Sequence, residues 1–185
     1  MQRVKIGFDL GNSSMKLAVA RKGGLELHEV PLPEHMVEED AVTMPHAFSA
    51  FLKKIKKELR LPGGPAGLIL PPSQVISRLV TMPRMSEEQL LLNLPYELSD
   101  FIHGEPHQYH CDYALCGEIP GQGGEEQEEQ GQLTMMAAAA EKRQVQEYVR
   151  MFAAGGFALR HMLPQEMTLI QLVSAHRRAV PEAPE

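Results

Sequence analysis

The sequence has 185 residues, 43% of them hydrophobic and 23% charged, which suits one packed domain or two small lobes and argues against a disordered chain. Acidic residues outnumber basic ones by 24 to 18, so a general nucleic-acid-binding protein, which needs a basic surplus, is not expected. Two cysteines exclude a disulfide framework, and the lack of a signal-peptide-like N-terminus or a membrane-spanning apolar run predicts a cytoplasmic protein.

The first elements of the chain predict a β-meander. Residues 4–8 form an apolar run, and residues 15–19 alternate between apolar and other side chains, as a half-buried strand does. The stretch "RKGG" (21–24) is typical of a hairpin turn, and a third strand is expected over residues 25–32. Apolar residues at helical spacing from Phe48 to Leu59 then predict a helix, and "AGLIL" a short buried strand.

The middle and end of the chain predict a second group of elements. Ser86 and Gln89 form a capping-box pattern that begins a helix reaching Phe101, bent by Pro95. The other expected elements are strands at 74–82, 109–117, 133–140 and 157–163, a polar loop at 118–132, and helices at 145–154 and 164–178. The order βββαβ, then βαββαβ, then α indicates a small α+β lobe inserted into a larger one.

The turn "DLGNSSMK" carries the residues most suited to chemistry. Gly11 and Asn12 tolerate unusual backbone angles, Ser13 and Ser14 add short hydroxyl donors, and Lys16 adds a positive charge. Asp9 ends the first strand, where a carboxylate can hold hydrated Mg²⁺ through water. The pattern matches neither of the common phosphate loops, and the same residue types are also ordinary turn formers.

Three stretches resemble one family. The stretch "KIGFDLGNSSMKLAVA" is similar to the first phosphate loop of the actin-like ATPases, the fold of actin, the heat-shock 70 chaperones, FtsA and MreB. The stretches "LILPPSQVISRLVTMPRMSEEQLLLNLPYELSDFI" and "MMAAAAEKRQVQEYVRMFAAGGFALRHM" resemble the PilM-type pilus assembly proteins, in the same order along the chain. The resemblance spans nearly the whole sequence.

The resemblance implies an α/β actin-like (ribonuclease H-like) fold with an inserted FtsA-like βαββα lobe. It assigns residues 1–71 and 164–185 to actin-like subdomain 1A and residues 72–163 to the inserted lobe, which resembles subdomain 1C. It also implies a place at the inner face of the cytoplasmic membrane, in type IV pilus assembly, and docking of the cytoplasmic N-terminal tail of a PilN-like inner-membrane protein. Self-association is left open.

The same resemblance implies binding of ATP with Mg²⁺ through the first phosphate loop. The residues that match are Asp9, Gly11, Asn12, Ser13, Ser14 and Lys16. Family members continue into a second half that completes the nucleotide cleft, and this sequence ends where that half begins. Weak nucleotide binding or none, and no turnover, are therefore expected of the chain alone. The alternatives are an actin-like ATPase completed by a second half or partner chain, and an adaptor in type II secretion or competence.

Three other groups of residues have competing interpretations. The apolar set at the expected groove between the lobes is a candidate peptide-binding surface or simply core: Met82, Met85, Leu91, Leu92 and Tyr96. The group His103, His107, His110, Cys111 and Cys116 lacks paired ligand spacing, so Cys111 is interpreted as core and not as a zinc ligand. The lysines at 53, 54, 56 and 57 are interpreted as a solvated helix face and not as a membrane-binding surface.

Overall fold

The structure is a computed structural model that describes residues 5–119 and 131–179. Most of the predicted polar loop and the last residues of the chain lie outside this range. The strands are β1 (Ile6–Leu10), β2 (Ser14–Arg21), β3 (Gly24–Pro31), β4 (Val37–Glu38), β5 (Ala41–Val42), β6 (Pro65–Leu70), β7 (Ile76–Pro83), β8 (Tyr109–Ile119), β9 (Gln132–Glu141) and β10 (Ala158–Pro164). The helices are α1 (Pro45–Glu58), α2 (Glu87–Glu97), α3 (Lys142–Ala154) and α4 (Gln165–Ala179), with a 3₁₀ turn at Pro106–Gln108.

The first compact unit contains a five-stranded sheet in the order β10-β6-β1-β2-β3. The pairs β1–β2 and β2–β3 are antiparallel, whereas β6 runs parallel to both β1 and β10. The predicted β-meander is therefore correct and forms one side of the sheet. Parallel strand β6 needs a crossover connection, which α1 supplies.

Aromatic side chains hold the helices on one face of this sheet. Phe8 of β1 contacts both Phe152 of α3 and Phe157 edge-on, with ring centroids 5.0 Å apart in each pair. Phe48 of α1 reaches the same cluster through Phe152, and all four rings are at most 1% exposed. Each such ring contributes about 1.5–3 kcal/mol of burial, so this cluster fixes α1 and α3 against β1.

A small hairpin, β4–β5, precedes α1. Its two turn residues, Glu39 and Asp40, have φ angles of 48° and 63°, in the left-handed region. Two left-handed residues in a row are the geometry of a type I′ hairpin turn, which normally selects Asn or Gly. No Gly or Asn marks this turn in the sequence, which is why the hairpin was not predicted.

The second compact unit, residues 75–144, is a three-stranded antiparallel sheet in the order β7-β9-β8, with α2 packed on one face. Leu90, Leu94 and Leu98 are at most 2% exposed and belong to one core cluster with Ala137 and Ala139 of β9. The unit therefore has a core of its own, and the alanine-rich stretch is a strand, as predicted.

Helix α2 begins as predicted but ends earlier. Ser86 accepts from the Gln89 backbone N–H, and the Gln89 side chain accepts from the Ser86 backbone N–H, which completes the capping box. The helix stops at Glu97, two residues after Pro95, and Phe101 lies beyond it with the Arg78 guanidinium 4.5 Å from its ring centroid. The expected extension to Phe101 is therefore wrong, because the Ser99 and Phe101 N–H groups donate to carbonyl oxygens three residues earlier, as in a turn, and not four residues earlier, as in an α-helix.

The boundaries of the two units differ from the expected residues 72–163. The first unit includes residues up to Gln74 and from Val145 onward. Strand β10 pairs with β6, and α3 contributes Phe152 to the aromatic cluster, so both elements belong with the five-stranded sheet. Within the described residues, no helix has the length and apolar character needed to cross a membrane.

Candidate functional site

The turn between β1 and β2 forms one wall of a cleft of about 320 Å³. Asp9 and Lys16 lie opposite each other in the β1–β2 register, so the strand pairing itself places a carboxylate beside an ammonium. The lining residues are Asp9, Leu10, Gly11, Ser13, Ser14, Lys16, Asp40, Ile69, Pro71 and Gln165. Of the six residues predicted for a phosphate loop, Asn12 alone is not among them.

Gly11 is needed for close approach and not for a left-handed backbone. Its N–H donates to the Ser14 carbonyl oxygen at 3.0 Å, and a Cβ at this position would lie 3.1 Å from the same oxygen. Its φ angle is not in the positive range, unlike that of Gly23 in the next turn. The tight bend that the sequence predicts is present, but its physical reason is different.

Several of the predicted donors already have protein partners. The Ser14 hydroxyl donates to Glu29 Oε1 at 2.7 Å, and the Gly11 N–H is held by Ser14, as described above. Asn12 Oδ1 accepts from the Asp40 backbone N–H at 2.9 Å, so the Asn12 side chain holds the β4–β5 hairpin. Among the described residues, the Ser13 hydroxyl and the Lys16 ammonium are the loop's remaining side-chain donors toward the cleft.

Asp40 is the main functional candidate that the sequence does not reveal. Its carboxylate lines the cleft and accepts from the Ser73 hydroxyl at 2.8 Å. Its backbone carbonyl accepts from Gln74 Nε2, and Gln74 Oε1 in turn accepts from the Tyr148 hydroxyl at 3.0 Å. A continuous hydrogen-bonded chain thus runs from the loop, through the hairpin, to helix α3.

This chain is buried at its far end. Gln74 is a buried polar side chain, 9% exposed, and Tyr148 is 4% exposed. Burial raises the pKa of the Tyr148 phenol, while the hydrogen bond to Gln74 opposes that rise. A buried amide with both ends bonded is a rigid connection, so the position of the Asp40 backbone is set by α3 as well as by the loop.

The cleft fits a hydrated cation or a phosphate only in part. Two carboxylates, Asp9 and Asp40, face one ammonium, Lys16, so a bare polyphosphate meets more negative than positive charge. A water-shelled Mg²⁺ beside Asp9 would offset that charge. The described residues contain no group of three His, Cys, Asp or Glu side chains that could hold a metal, and this includes the histidines and cysteines between 103 and 116. Gln165, at the start of α4, is a further cleft residue without a sequence signal.

A second, apolar cleft of about 470 Å³ lies next to the first and shares Asp9, Lys16 and Ile69 with it. Its floor is the face of the sheet opposite the aromatic cluster, where Gly7 pairs with Ala18 and offers no side chain. Because a Cβ at Gly7 would meet no atom within 4 Å, the glycine leaves open space and not a tight contact. The bend therefore separates a polar cleft from an apolar one.

The residues predicted to bind a partner divide into two groups. Met82 is 2% exposed and belongs to the core of the second unit, and Met85 is half-buried against that core. Both are therefore core residues, which was the alternative to the peptide-binding interpretation. Leu91, Leu92 and Tyr96 are 38%, 70% and 66% exposed; Leu92 and Tyr96 lie on the side of α2 opposite Leu90 and Leu94, and Leu91 lies at the flank. Cys111 is also half-buried against this core, and burial raises the pKa of its thiol.

The fold is found in solved structures of pilus and secretion proteins. The chain is similar to the "PilM-PilN type IV pilus biogenesis complex" with a TM-score of 0.78 at 20% identity, covering 95% of this chain and 52% of that one. It is also similar to the cytoplasmic domain of EpsL, an inner-membrane component of the type II secretion system of Vibrio cholerae, with a TM-score of 0.55 at 16% identity, covering 86% and 56%. No protein-family model and no curated protein matches the sequence.

These similarities show the fold. The chain shares its α/β fold with a chain of the PilM-PilN complex, and the predicted α/β fold class is confirmed. The chain spans about half the length of the solved chains that it matches.

Proposed function

We propose that the chain is a binding module of type IV pilus assembly, or of a related secretion system, at the cytoplasmic face of the inner membrane. It docks the short cytoplasmic N-terminal tail of a PilN-like membrane protein. The fold match to PilM, solved with PilN and covering 95% of this chain, supports the class of partner. The observation that carries the proposal is the exposed apolar side of α2, formed by Leu92 and Tyr96 with Leu91 at its flank.

This side of α2 has the properties of a peptide-docking surface. Leu92 and Tyr96 are four residues apart, so their side chains lie together on the helix surface. The helix already buries Leu90 and Leu94 on its other side, so its exposed apolar residues are not needed for the core. An aromatic and an aliphatic side chain next to each other form the kind of anchor that a short apolar tail can cover.

The test is titration calorimetry of the full chain with a synthetic peptide of the N-terminal tail of the PilN-like protein encoded nearest to it. Saturable heat is expected for the native chain, and the dissociation constant should rise about tenfold or more in Leu92→Ser and Tyr96→Ser. Leu79→Ser is the matched control, since Leu79 is 63% exposed in the same unit but on β7. Absence of heat with the native chain, or equal losses in all three variants, would reject the proposal.

A second candidate function follows from the polar cleft. In this alternative the chain is one half of an actin-like ATPase, completed by a second half or by a partner chain. Bound Mg²⁺ would neutralise phosphate charge, Asp9 would hold its water shell, and Lys16 would contact a phosphate oxygen. The chain alone should bind ATP weakly, because its loop leaves few donors free.

Fluorescent-nucleotide titration with the native chain and with Lys16→Ala tests this alternative. Binding that weakens in Lys16→Ala and requires Mg²⁺ supports it, and identical binding by the two proteins contradicts it. Hydrolysis assays need the completing half, and there Asp9→Ala should abolish turnover. An adaptor role in type II secretion or competence is the third reading, and neighbouring genes discriminate it from pilus assembly.

A further inference from the structure

Strand β3 is one of the two edge strands of the five-stranded sheet, opposite β10. It pairs with β2 on one side and has no strand on the other among the described residues. Arg21 and Gly24 close a two-residue turn, and the Leu32 N–H donates to the Ser13 carbonyl oxygen at 2.9 Å. The pairs Arg21–Gly24 and Ser13–Leu32 are therefore hydrogen-bonded pairs of one register. The alternate residues of β3 between Gly24 and Leu32 also bond to β2, and these are Glu26, His28 and Val30.

The intervening residues of β3 therefore direct their backbone groups away from the sheet. These residues are Leu25, Leu27 and Glu29, each with an N–H and a C=O at the free edge. Two of them also carry exposed apolar side chains, because Leu25 is 65% and Leu27 is 72% exposed. A straight edge with free backbone groups and exposed leucines is a template for another strand.

We propose that β3 is a homodimer interface, in which the β3 strands of two copies pair antiparallel about a two-fold axis at Leu27. Leu27 then lies opposite the partner's Leu27, and Leu25 lies opposite the partner's Glu29. All three residues with free backbone groups are hydrogen-bonded in this register, and the two sheets join into one of ten strands. This inference stands apart from the proposed docking function, which uses α2 in the other unit.

The charges of β3 favour this register over one centred on Glu26. With Leu27 on the axis, Glu26 lies opposite the partner's His28, and the reverse pair lies on the other side of the axis. The Arg21 guanidinium, 2.7 Å from the Glu26 carboxylate, lowers the pKa of Glu26 and keeps it charged. A shift that centres Glu26 places it opposite the partner's Glu26, where like charges repel.

The same self-complementarity favours a second copy as the occupant of this edge. Within one chain Glu26 is already paired with Arg21 at 2.7 Å and with His28 at 3.0 Å, and a second copy of β3 adds a further imidazole opposite Glu26 and an apolar side chain opposite Leu27. Strand pairing of this kind leaves each subunit's own sheet unchanged.

Sedimentation of the full chain over a concentration series tests the proposal. The native chain should reach a dimer, and the dissociation constant should rise about tenfold or more in Leu27→Lys, which places two like charges on the axis. Leu27→Pro removes a free-edge N–H and no bond to β2, and it should have the same effect. The variant Leu79→Lys, which changes a leucine of β7 that is 63% exposed, should dimerise like the native chain.

Cysteine cross-linking in a Cys116→Ser background tests the register. Leu27→Cys should form a disulfide-linked dimer, because directly opposite residues in a bonded antiparallel pair have Cα atoms about 5.5 Å apart. Leu25→Cys alone should not cross-link, whereas Leu25→Cys combined with Glu29→Cys should. A native chain that stays monomeric, a dimer unaffected by the Leu27 variants, or cross-linking by Leu25→Cys alone overturns the proposal. Circular dichroism confirms that each variant is folded.

Discussion

Tyr148→Phe tests the hydrogen-bonded chain that connects the phosphate-loop hairpin with α3. The change removes one hydroxyl and leaves Gln74 Oε1 buried without its donor. A buried acceptor that loses its partner costs about 1–3 kcal/mol, so we expect the free energy of unfolding of the first unit to fall by about 1.5 kcal/mol. Gln74→Met also loses the bond to the Asp40 carbonyl and should cost about 2–3 kcal/mol.

The two changes should not be additive. With Met at position 74, no acceptor remains for Tyr148, so adding Tyr148→Phe should cost little more, and the coupling energy should be about 1–1.5 kcal/mol. Urea unfolding measures the stabilities, and amide hydrogen exchange at Asp40 reports the hairpin directly. Equal cost of Tyr148→Phe in both backgrounds, or unchanged exchange at Asp40 in Gln74→Met, would refute the chain of contacts as the hairpin's support.

Three further predictions concern pH, packing and helix capping. Because burial raises the pKa of Tyr148 above 10.0, its contribution is complete below about pH 10 and is lost as pH rises through the folded-state pKa; urea titrations at alkaline pH should show a steeper loss in the native chain than in Tyr148→Phe. Gly155→Ala places a Cβ 2.6 Å from Leu52 Cβ and should cost about 1–3 kcal/mol, whereas Gly7→Ala, with open space, should stay within about 0.5 kcal/mol. Ser86→Ala should destabilise the second unit by about 1 kcal/mol, measured by amide exchange in α2, and no change there would contradict the capping contact.

The sequence predicts the strands and helices well, because their signals are local. Alternation over β2 and the Ser86 capping pattern each depend on neighbouring residues, and both are present in the structure. The unit boundary at Val145 depends on where β10 finds its partner strand and where Phe152 packs, and a single sequence does not encode these pairings in any short pattern.

The part of the candidate site that is local in sequence could be predicted, and the part contributed by distant elements could not. The loop residues lie together because they are consecutive in the chain, and five of the six line the polar cleft. Asp40 and Gln165 come from distant elements, and Asp40 sits in a left-handed turn that its residue type does not announce. Partners such as Glu29 for Ser14, which reduce the donors left for a ligand, follow only from the β2–β3 register.

The chain leaves the first unit at Gln74 and returns at Val145, and the Gln74–Tyr148 hydrogen bond fastens departure and return at one place. Residues 75–144, which have a core of their own, are thus an insertion whose two flanking chain segments are joined by this hydrogen bond. Residues can be inserted, deleted or replaced within such a unit without changing the five-stranded sheet, provided that the Gln74–Tyr148 hydrogen bond is kept. A different domain could be grafted between Gln74 and Val145 for the same reason.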